Sequence, residues 1–275
     1  MDRTILEAQG KSLIKDGKVG VVVLAGGQGS RLGFDGPKGK YDVGLPSRKS
    51  LFQILTERFF KAQMLAHEID VEEVGTGADG VAMIKIPTEV QKCKMLVMTS
   101  FENHSETVQF FRQNFFFGGD ESSFIFFPQA MLPALTTEGK IMMSSKSTLK
   151  LAPNGNGAFF DSLQKEQGLR DLLGGFEYVQ IIGVDNILNK VLDPIQIGFT
   201  VSEGLDCSCK AVAKRDPTEK VGVIGKKNGH YDIVEYSELD DEQANARKGN
   251  GQLLFNEGSI LIFLISAKFL VDLVT

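Results

Sequence analysis

The sequence predicts an α/β fold built around a mainly parallel sheet. Residues 19–24 (VGVVVL) form a continuous apolar run rich in β-branched residues, which is typical of a strand buried on both faces. Residues 50–67 carry apolar side chains at helical spacing, and Ser50 with Gln53 matches the S-x-x-Q capping box at a helix start. Strand-like and helical segments then alternate along the chain, which is the pattern of a sheet covered by helices.

The remaining elements continue this alternation. Residues 1–17 are expected to form a short helical segment ahead of the first strand. Residues 70–92 have weak periodicity and two glycine turns, so we expect a surface excursion with a short hairpin there. Strands are predicted over residues 94–98, 124–127, 178–184, 205–213 and 221–224, and helices over residues 106–115, 157–173 and 268–274.

Composition and charge argue against several classes of protein. The 275 residues are 42% hydrophobic, and 30 Lys and Arg against 35 Asp and Glu give a net charge of −5. A general attraction to nucleic acid or to an anionic membrane is therefore not expected. The longest late apolar run, residues 260–265, is far shorter than the ~20 residues of a membrane span, and the N-terminus has no apolar signal-peptide core. We therefore expect a cytoplasmic protein.

Cysteine and histidine usage gives little support to metal or thiol chemistry. The three cysteines are an odd number, and Cys207 and Cys209 lie two residues apart, where a strand gives no favourable disulfide geometry. A reducing compartment is the simpler interpretation. None of the three histidines neighbours a cysteine, so neither a structural zinc site nor a Cys/His nucleophile pair is expected. We assign Cys207, Cys209 and the phenylalanines at positions 115–117, 126 and 127 to packing.

The most informative segment is residues 24–40 (LAGGQGSRLGFDGPKGK). Glycines directly after a strand let backbone N–H groups approach an anion, and open α/β sheets bind ligands at the carboxyl ends of their strands. The spacing matches neither the dinucleotide G-x-G-x-x-G motif nor the Walker loop. We predict a polyphosphate site, with a glycine-rich surface turn as the alternative. Two acids lie among five cations in the surrounding segment: Arg31, Lys38, Lys40, Arg48 and Lys49.

A series of motifs in this order gives the chain a family resemblance. LAGGQGSRLG and PKG are followed by YDVGLPSRKSLFQI, FPQAMLPA, APNGNG, VDNIL, DPxxIGF, PTEKVGV and VEYSE. Together they resemble the UDP-N-acetylglucosamine (UDP-N-acetylhexosamine) pyrophosphorylases of the uridylyltransferase group, over roughly residues 18–258. The resemblance implies a Rossmann-like, GT-A-like nucleotidyltransferase fold with a mixed, mainly parallel sheet. It also implies a catalytic domain over residues 18–275, which we expect to be incomplete at its C-terminus.

The resemblance implies a reaction as well as a fold. This family joins UTP and N-acetylglucosamine 1-phosphate, with Mg²⁺, to give UDP-N-acetylglucosamine and pyrophosphate. A sugar phosphate oxygen attacks the α-phosphorus and pyrophosphate leaves, so the protein positions two polyanions and neutralises their charge without a nucleophile of its own. The implied partners are these two substrates, with no nucleic acid and no membrane.

The family's motifs place the nucleotide on the glycine loop and beyond it. By resemblance, Gly26 and Gly27 hold the uridine and phosphates through their backbone, while Arg31 and Lys38 bind the triphosphate and the leaving pyrophosphate. Gln129 faces the base, where its amide suits the N3–H and carbonyl edge of uracil. A surface glutamine in a turn is the alternative.

The later motifs supply the remaining candidate residues. By resemblance, Gly155 approaches the base and Asn156 bonds the sugar, although N-G-N-G is equally a turn with a helix cap. Asp185 follows a predicted strand and could hold Mg²⁺, with a helix N-cap as its competing role. Gly222 and Glu235 match positions around the acetylhexosamine, and Glu235 could instead face water.

The chain departs from the family after the VEYSE motif. Where the family has FNxGNIxNHF, this chain has FNEGSILIFL, so that Ser259, Ile262 and Phe263 replace polar residues expected near the sugar. The identity of the sugar 1-phosphate therefore stays open. Three hypotheses remain: an active uridylyltransferase, a uridine-nucleotide-binding protein without turnover, and a glycosyltransferase. The last is disfavoured because the sequence has no D-x-D metal motif.

Overall fold

The structure, a computed structural model, describes residues 2–69, 73–76, 82–84 and 86–275; at Arg31, 73–76 and 82–84 it describes the backbone alone. The helices are α1 (Arg3–Lys15), α2 (Leu51–Ala66), α3 (His104–Gln113), α4 (Ala158–Lys165), α5 (Gln167–Gly174), α6 (Pro194–Ser202), α7 (Asp241–Asn245) and α8 (Ala267–Val274). The strands are β1 (Val19–Leu24), β2 (Glu73–Thr76), β3 (Ala82–Ile84), β4 (Met95–Thr99), β5 (Phe124–Pro128), β6 (Met131–Pro133), β7 (Met143–Ser145), β8 (Thr148–Leu149), β9 (Leu151–Pro153), β10 (Tyr178–Gly183), β11 (Cys207–Ala213), β12 (Val223–Lys227), β13 (His230–Val234) and β14 (Glu257–Ser266).

The chain folds into two compact units. The first comprises Met1–Asp206 and Leu264–Thr275, and the second comprises Cys207–Phe263. Both lie largely within the single domain predicted for residues 18–275, whose limits stay a prediction.

The first unit is built on parallel strands in the order β10-β1-β4-β5. Every residue of β1 and β4 is buried. This confirms the predicted parallel sheet. It also confirms the prediction that the apolar run at 19–24 forms a strand buried on both faces. Because parallel strands share one direction, the segments that follow β1, β4, β5 and β10 all leave the same edge of the sheet.

Phenylalanine rings fill much of the first unit's core. The ring of Phe111 lies 5.0 Å from that of Phe52 and 5.4 Å from that of Phe124, in tilted or edge-on arrangements. Phe116, Phe117 and Phe127 are buried and Phe126 is half-buried, as the packing assignment predicted. The same assignment is wrong for Phe115, whose side chain is 61% exposed.

Helices α1 and α6 approach each other through two glycines. A Cβ atom on Gly10 would lie 1.9 Å from the carbonyl oxygen of Pro194, and one on Gly198 would lie 1.9 Å from the carbonyl oxygen of Leu6. A side chain at either position would overlap the facing backbone, so glycine is what permits this close packing.

The second unit contains an antiparallel hairpin of β12 and β13, in register from Val223–Val234 to Lys227–His230. Its turn residues Asn228 and Gly229 have φ of 53° and 84°, as a two-residue hairpin loop requires. Cys207 and Cys209 lie on β11 and both are exposed, so their assignment to packing is wrong. The alternating pattern of β11 places these two side chains on its exposed face.

Other local predictions are modified by competing contacts. Ser50 caps α2 by accepting from Gln53 N (3.2 Å), but the Gln53 side chain donates to Glu57 (2.9 Å) instead of completing the capping box. The helix predicted over 157–173 breaks into α4 and α5 at Glu166, which has extended backbone angles.

The hairpin expected within 70–92 is present as the antiparallel pair β2–β3. Among the described residues, no helix has the length and apolar character that crossing a membrane requires.

Candidate active site

The glycine loop after β1 folds back on itself at the carboxyl edge of the sheet. Gly29 N donates to Gly36 O (2.9 Å), and Lys38 N donates to Gly27 O (3.1 Å). These backbone bonds close the loop, so Lys38 returns to the glycines that begin it. A Cβ atom on Gly27 would lie 3.9 Å from Lys38 Nζ, which shows how closely the ammonium group approaches this part of the backbone.

Gly26 faces the side chain of Gln129. A Cβ atom on Gly26 would lie 2.4 Å from Gln129 Nε2, closer than atoms can approach. Gln129 is 3% exposed, and its backbone N–H donates to Thr99 O (2.7 Å) at the end of β4. The sheet edge therefore brings together two residues that the sequence placed in separate motifs.

Lys38 pairs with Asp185. Its Nζ lies 3.1 Å from Asp185 Oδ2, and the side chains are 26% and 60% exposed respectively. Asp185 stands in the turn after β10, at the predicted sheet edge. It caps no described helix, and the N-cap of α6 is Asp193, so the competing N-cap role is wrong.

A buried asparagine and a half-buried arginine hold the turn that carries Asp185. Asn189 Nδ2 donates to Gly183 O (3.1 Å) at the end of β10. Arg58 Nη1 on α2 donates to Asn189 O (3.1 Å) and to Ile187 O. Burial lowers the pKa of the Arg58 guanidinium, which nevertheless stays charged near neutral pH.

The predicted surplus of cations around the loop is partly neutralised. Lys40 pairs with Glu106 and lies 5.5 Å from the Phe110 ring centroid, while Lys49 pairs with Glu57 at 2.7 Å. These two lysines serve local structure. The side chain of Arg31 lies outside the described residues, and its backbone belongs to a short turn over Ser30–Leu32.

Asn103 supports the glycine loop, although no sequence pattern pointed to it. Its side chain is fully buried, and its Nδ2 donates to Ala25 O (3.2 Å) and lies 3.5 Å from Gly27 O. Its Oδ1 accepts from Ser100 N (2.8 Å) just after β4. An asparagine in a polar loop has no distinguishing spacing, so only the fold identifies this role.

Gly155 and Asn156 lie in the turn between β9 and α4. Strand β9 pairs with β6, which begins just after Gln129, and Asn154 N donates to Ala130 O (3.2 Å). The Asn154 side chain in turn donates to Asp161 on α4 (2.6 Å). Gly155 has a φ of 79° with open space where a side chain would be, and Asn156 is exposed. This turn is therefore tied to the segment that carries Gln129.

Gly222 and Glu235 are neighbours in the second unit. A Cβ atom on Gly222 would lie 3.4 Å from Glu235 Oε1, and Gly222 O accepts from Ser259 N (2.8 Å). The fold thus brings two residues predicted to bind the sugar together with Ser259, which replaces an asparagine of the family pattern. Ile262, another departure, is 3% exposed and packs in the interior.

The candidate metal ligand Asp185 supplies one exposed carboxylate. Within the part of the chain that the structure describes, no group of three or more His, Cys, Asp or Glu side chains is placed to hold a metal ion. A hard cation at Asp185 would need its other oxygen ligands from water or from a substrate.

Comparisons with known proteins agree with this architecture. A family model described as UTP–glucose-1-phosphate uridylyltransferase matches residues 2–274. A Dictyostelium discoideum protein named as a probable UDP-N-acetylglucosamine pyrophosphorylase is 42% identical over 272 residues, which are 98% of this chain and 53% of that protein. The UDP-N-acetylglucosamine pyrophosphorylase of Saccharomyces cerevisiae is 37% identical over 270 residues, 98% of this chain and 50% of that protein.

A solved structure gives the same result. The uridine diphosphate N-acetylglucosamine pyrophosphorylase of Trypanosoma brucei, in complex with an inhibitor, matches with a TM-score of 0.81 and 34% identity. The match covers 99% of this chain and 51% of that one. The chain thus spans about half the length of the curated relatives it matches.

Proposed function

The chain belongs to the UTP–glucose-1-phosphate uridylyltransferase family, and we propose that it transfers the uridylyl group of UTP to N-acetylglucosamine 1-phosphate. The products are UDP-N-acetylglucosamine and pyrophosphate. The proposal includes a cytoplasmic location. The observation that carries it is that one sheet edge brings Gly26 to Gln129, Gly27 to Lys38, and Lys38 to Asp185.

In the proposed reaction the protein binds and orients two polyanions. A bond forms between a phosphate oxygen of the sugar and the α-phosphorus, the bond to the β-phosphate oxygen breaks, and pyrophosphate carries the electron pair away. Backbone N–H groups of Gly26 and Gly27 donate to phosphate oxygens. Lys38 and Arg31 neutralise the charge that develops on the leaving group.

Specificity for the nucleotide rests on Gln129 and the N-G-N-G turn in this proposal. The Gln129 amide donates to one uracil carbonyl and accepts from N3–H, which a cytosine ring would not match. Gly155, with no side chain and open space beside it, leaves room for the base. Asn156 is exposed and donates to the nucleotide sugar.

We assign the cofactor role to Mg²⁺. The chemistry of Asp185 fits this ion, because Mg²⁺ in nucleotide sites is held by one or two carboxylates together with substrate phosphates. When bound, the ion would supply positive charge beside the phosphates. The Asp185 carboxylate would then exchange its contact with Lys38 for the ion, which frees Lys38 for the pyrophosphate.

The sugar is assigned to the second unit. We propose that Glu235 accepts from hydroxyl groups of the acetylhexosamine and that Gly222 leaves space beside it. Ser259 stands where the family has an asparagine, and a hydroxyl makes fewer direct bonds than an amide. Ser259→Asn is therefore expected to increase the affinity for N-acetylglucosamine 1-phosphate.

A second candidate function is uridine-nucleotide binding without turnover. It is favoured by the apolar residues Ile262 and Phe263, which replace polar residues of the family pattern. An assay of pyrophosphate release from UTP, Mg²⁺ and N-acetylglucosamine 1-phosphate, run beside calorimetric titration with UTP, separates the two functions. Release that requires both substrates supports transfer, while saturable UTP binding without release selects the binding protein. Absence of UTP binding contradicts both.

The same assay identifies the sugar. Glucose 1-phosphate and N-acetylgalactosamine 1-phosphate, substituted in turn for N-acetylglucosamine 1-phosphate, give the ratio of kcat/KM values that defines specificity. A higher kcat/KM for either alternative substrate would overturn the assignment to N-acetylglucosamine 1-phosphate while leaving uridylyl transfer in place.

A further inference from the structure

An open cavity of about 640 Å³ lies among α1, α2 and the segment that leads from β10 into α6. Its size falls within the roughly 300–1,000 Å³ of typical small-molecule sites. None of Gly26, Gly27, Lys38, Gln129 or Asp185 lines it. It is therefore distinct from the candidate active site.

Apolar side chains supply most of the exposed lining of this cavity. Ala62 and Leu65 come from α2, and Leu188, Val191 and Ile195 come from the segment before and at the start of α6. Leu65 and Leu188 remain 53% and 79% exposed. An apolar part of a ligand would bury these side chains, which are otherwise in contact with water.

The charged lining is predominantly positive. Five cations stand around the cavity against two carboxylates, in a chain whose net charge is −5. Lys11 pairs with Glu7 at 2.7 Å, and Asp193 caps α6 by accepting from Ile195 N (3.2 Å). Among the described residues, the other four cations, Arg3, Arg58, Lys61 and Lys190, have no carboxylate within 4.0 Å. Arg58 donates to backbone carbonyls instead, which leaves Arg3, Lys61 and Lys190 for an anion.

The cavity wall is also preorganised. Arg58 lines the cavity and donates to the carbonyls of Ile187 and Asn189, so the segment that contributes Leu188–Lys190 is held to α2. The opposing wall is fixed by the close packing of Gly10 on Pro194 between α1 and α6. A ligand would thus meet a formed surface, which lowers the cost of binding.

From the apolar lining, the unpaired cations and the fixed walls, we propose that this cavity is a second binding site, for a small organic anion with an apolar body. The anionic group would lie between Lys61, Lys190 and Arg3, and the apolar body would cover Leu65 and Leu188. This inference does not depend on the proposed function.

Anilinonaphthalene sulfonate is a suitable probe, because it joins an apolar ring system to one anionic group and fluoresces when bound. We would titrate it into the full chain with excess UTP present, so that any nucleotide site is occupied. The test variant carries Lys61→Glu and Lys190→Glu. The control carries Lys146→Glu and Lys165→Glu, which are exposed lysines outside the cavity and give the same net charge. Circular dichroism checks that both variants are folded.

We expect saturable binding to the native chain, roughly tenfold weaker binding to the test variant, and binding within about twofold of native for the control. The neutral analogue N-phenylnaphthylamine should bind more weakly than the sulfonate and equally to all three proteins. Equal affinity of the sulfonate for the test and control variants would overturn the site. Equal affinity of the two probes for the native chain would overturn its selectivity for anions, as would the absence of saturable sulfonate binding.

Discussion

Lys38 Nζ lies 3.1 Å from Asp185 Oδ2, although 147 residues separate the two in the chain. The contact follows from topology, because Lys38 stands in the loop after β1 and Asp185 in the turn after β10, and these strands are adjacent and parallel. An exposed ion pair typically contributes no more than ~1 kcal/mol to stability. A contribution to stability therefore explains this pair poorly. The proposed exchange, in which Asp185 takes a metal ion and Lys38 takes the phosphates of the nucleotide, explains it better.

Lys38→Ala is predicted to lower kcat for pyrophosphate release by about 10² to 10³, the scale of losing one group that stabilises transition-state charge. The melting temperature should change little, since only the exposed pair with Asp185 is lost. Steady-state kinetics beside thermal unfolding checks both quantities. Lys165→Ala, on the exposed side of α4, is the control and should retain native kinetics. An unchanged kcat for Lys38→Ala would remove this residue from the mechanism.

Gly26→Ala is predicted to weaken UTP binding at least about tenfold while the protein remains folded. The new methyl group would displace Gln129 Nε2, which lies 2.4 Å from its position, but this atom is the end of a flexible side chain. The amide would then lose its orientation toward the base. Calorimetric titration with UTP measures the effect. Gly249→Ala, which meets no atom within 4 Å, should bind UTP normally. If Gly26→Ala binds UTP with native affinity, Gln129 does not recognise the base.

Local patterns predicted several of the strands and helices, because burial on both faces and helical spacing are written into consecutive residues. Helix α6 and strands β13 and β14 were not predicted. Strand β1 has the predicted bounds Val19–Leu24, and α2 lies within the predicted 50–67. The break at Glu166 was missed since no proline marks it, and the nearby Gly168 lies inside α5 and not at the break. Cys207 and Cys209 were misassigned because an alternating strand does not reveal which of its faces is covered.

The site was predicted as separate motifs, and its assembly needed the fold. The meeting of Gly26 with Gln129 and of Lys38 with Asp185 depends on the order of parallel strands, which sequence spacing does not contain. Asn103 was missed for the same reason: it contacts Ala25 across 78 positions of sequence.

Asn103→Ala is predicted to lower the free energy of unfolding by about 1–3 kcal/mol, because Ala25 O and Ser100 N would lose their buried partner. It should also raise the KM for UTP more than the KM for the sugar phosphate, since the glycine loop loses support. Asn103→Asp keeps the acceptor for Ser100 N but sets a carboxylate against two carbonyl oxygens, and should raise the KM for UTP further.

Asn114→Ala is the matched control for this position. Its side chain also donates to a carbonyl, that of Phe110 (2.8 Å), but at the end of α3 away from the loop. For Asn114→Ala, urea unfolding should show a lower stability than that of the native chain, while steady-state kinetics should show a native KM for UTP. If Asn103→Ala shows the same pattern, Asn103 has a structural role alone.

Cys93 is predicted to make stability depend on pH above about 9. Burial raises the pKa of the Cys93 thiol from 9.0 to about 12, so between these values the folded chain retains a proton that the unfolded chain has lost. The free energy of unfolding therefore falls as pH rises through this window, by at most about 1.4 kcal/mol per pH unit. Urea unfolding at several pH values measures the slope. Cys93→Ala should flatten it, and Cys207→Ala, at an exposed position, should not. Equal slopes in all three proteins would exclude the thiol as the cause.

Gly10→Ala and Gly168→Ala are predicted to change stability in opposite directions. The methyl group at Gly10 would lie 1.9 Å from Pro194 O, so α1 and α6 must separate, at a cost of about 1–3 kcal/mol or more. Gly168 lies in α5 and meets no atom within 4 Å, so alanine there should stabilise the helix by up to about 1 kcal/mol. Thermal unfolding of both variants tests this. Equal stability of the Gly10→Ala and native chains would mean that α1 and α6 do not pack this closely. It would also remove the support for one wall of the cavity proposed as a second binding site.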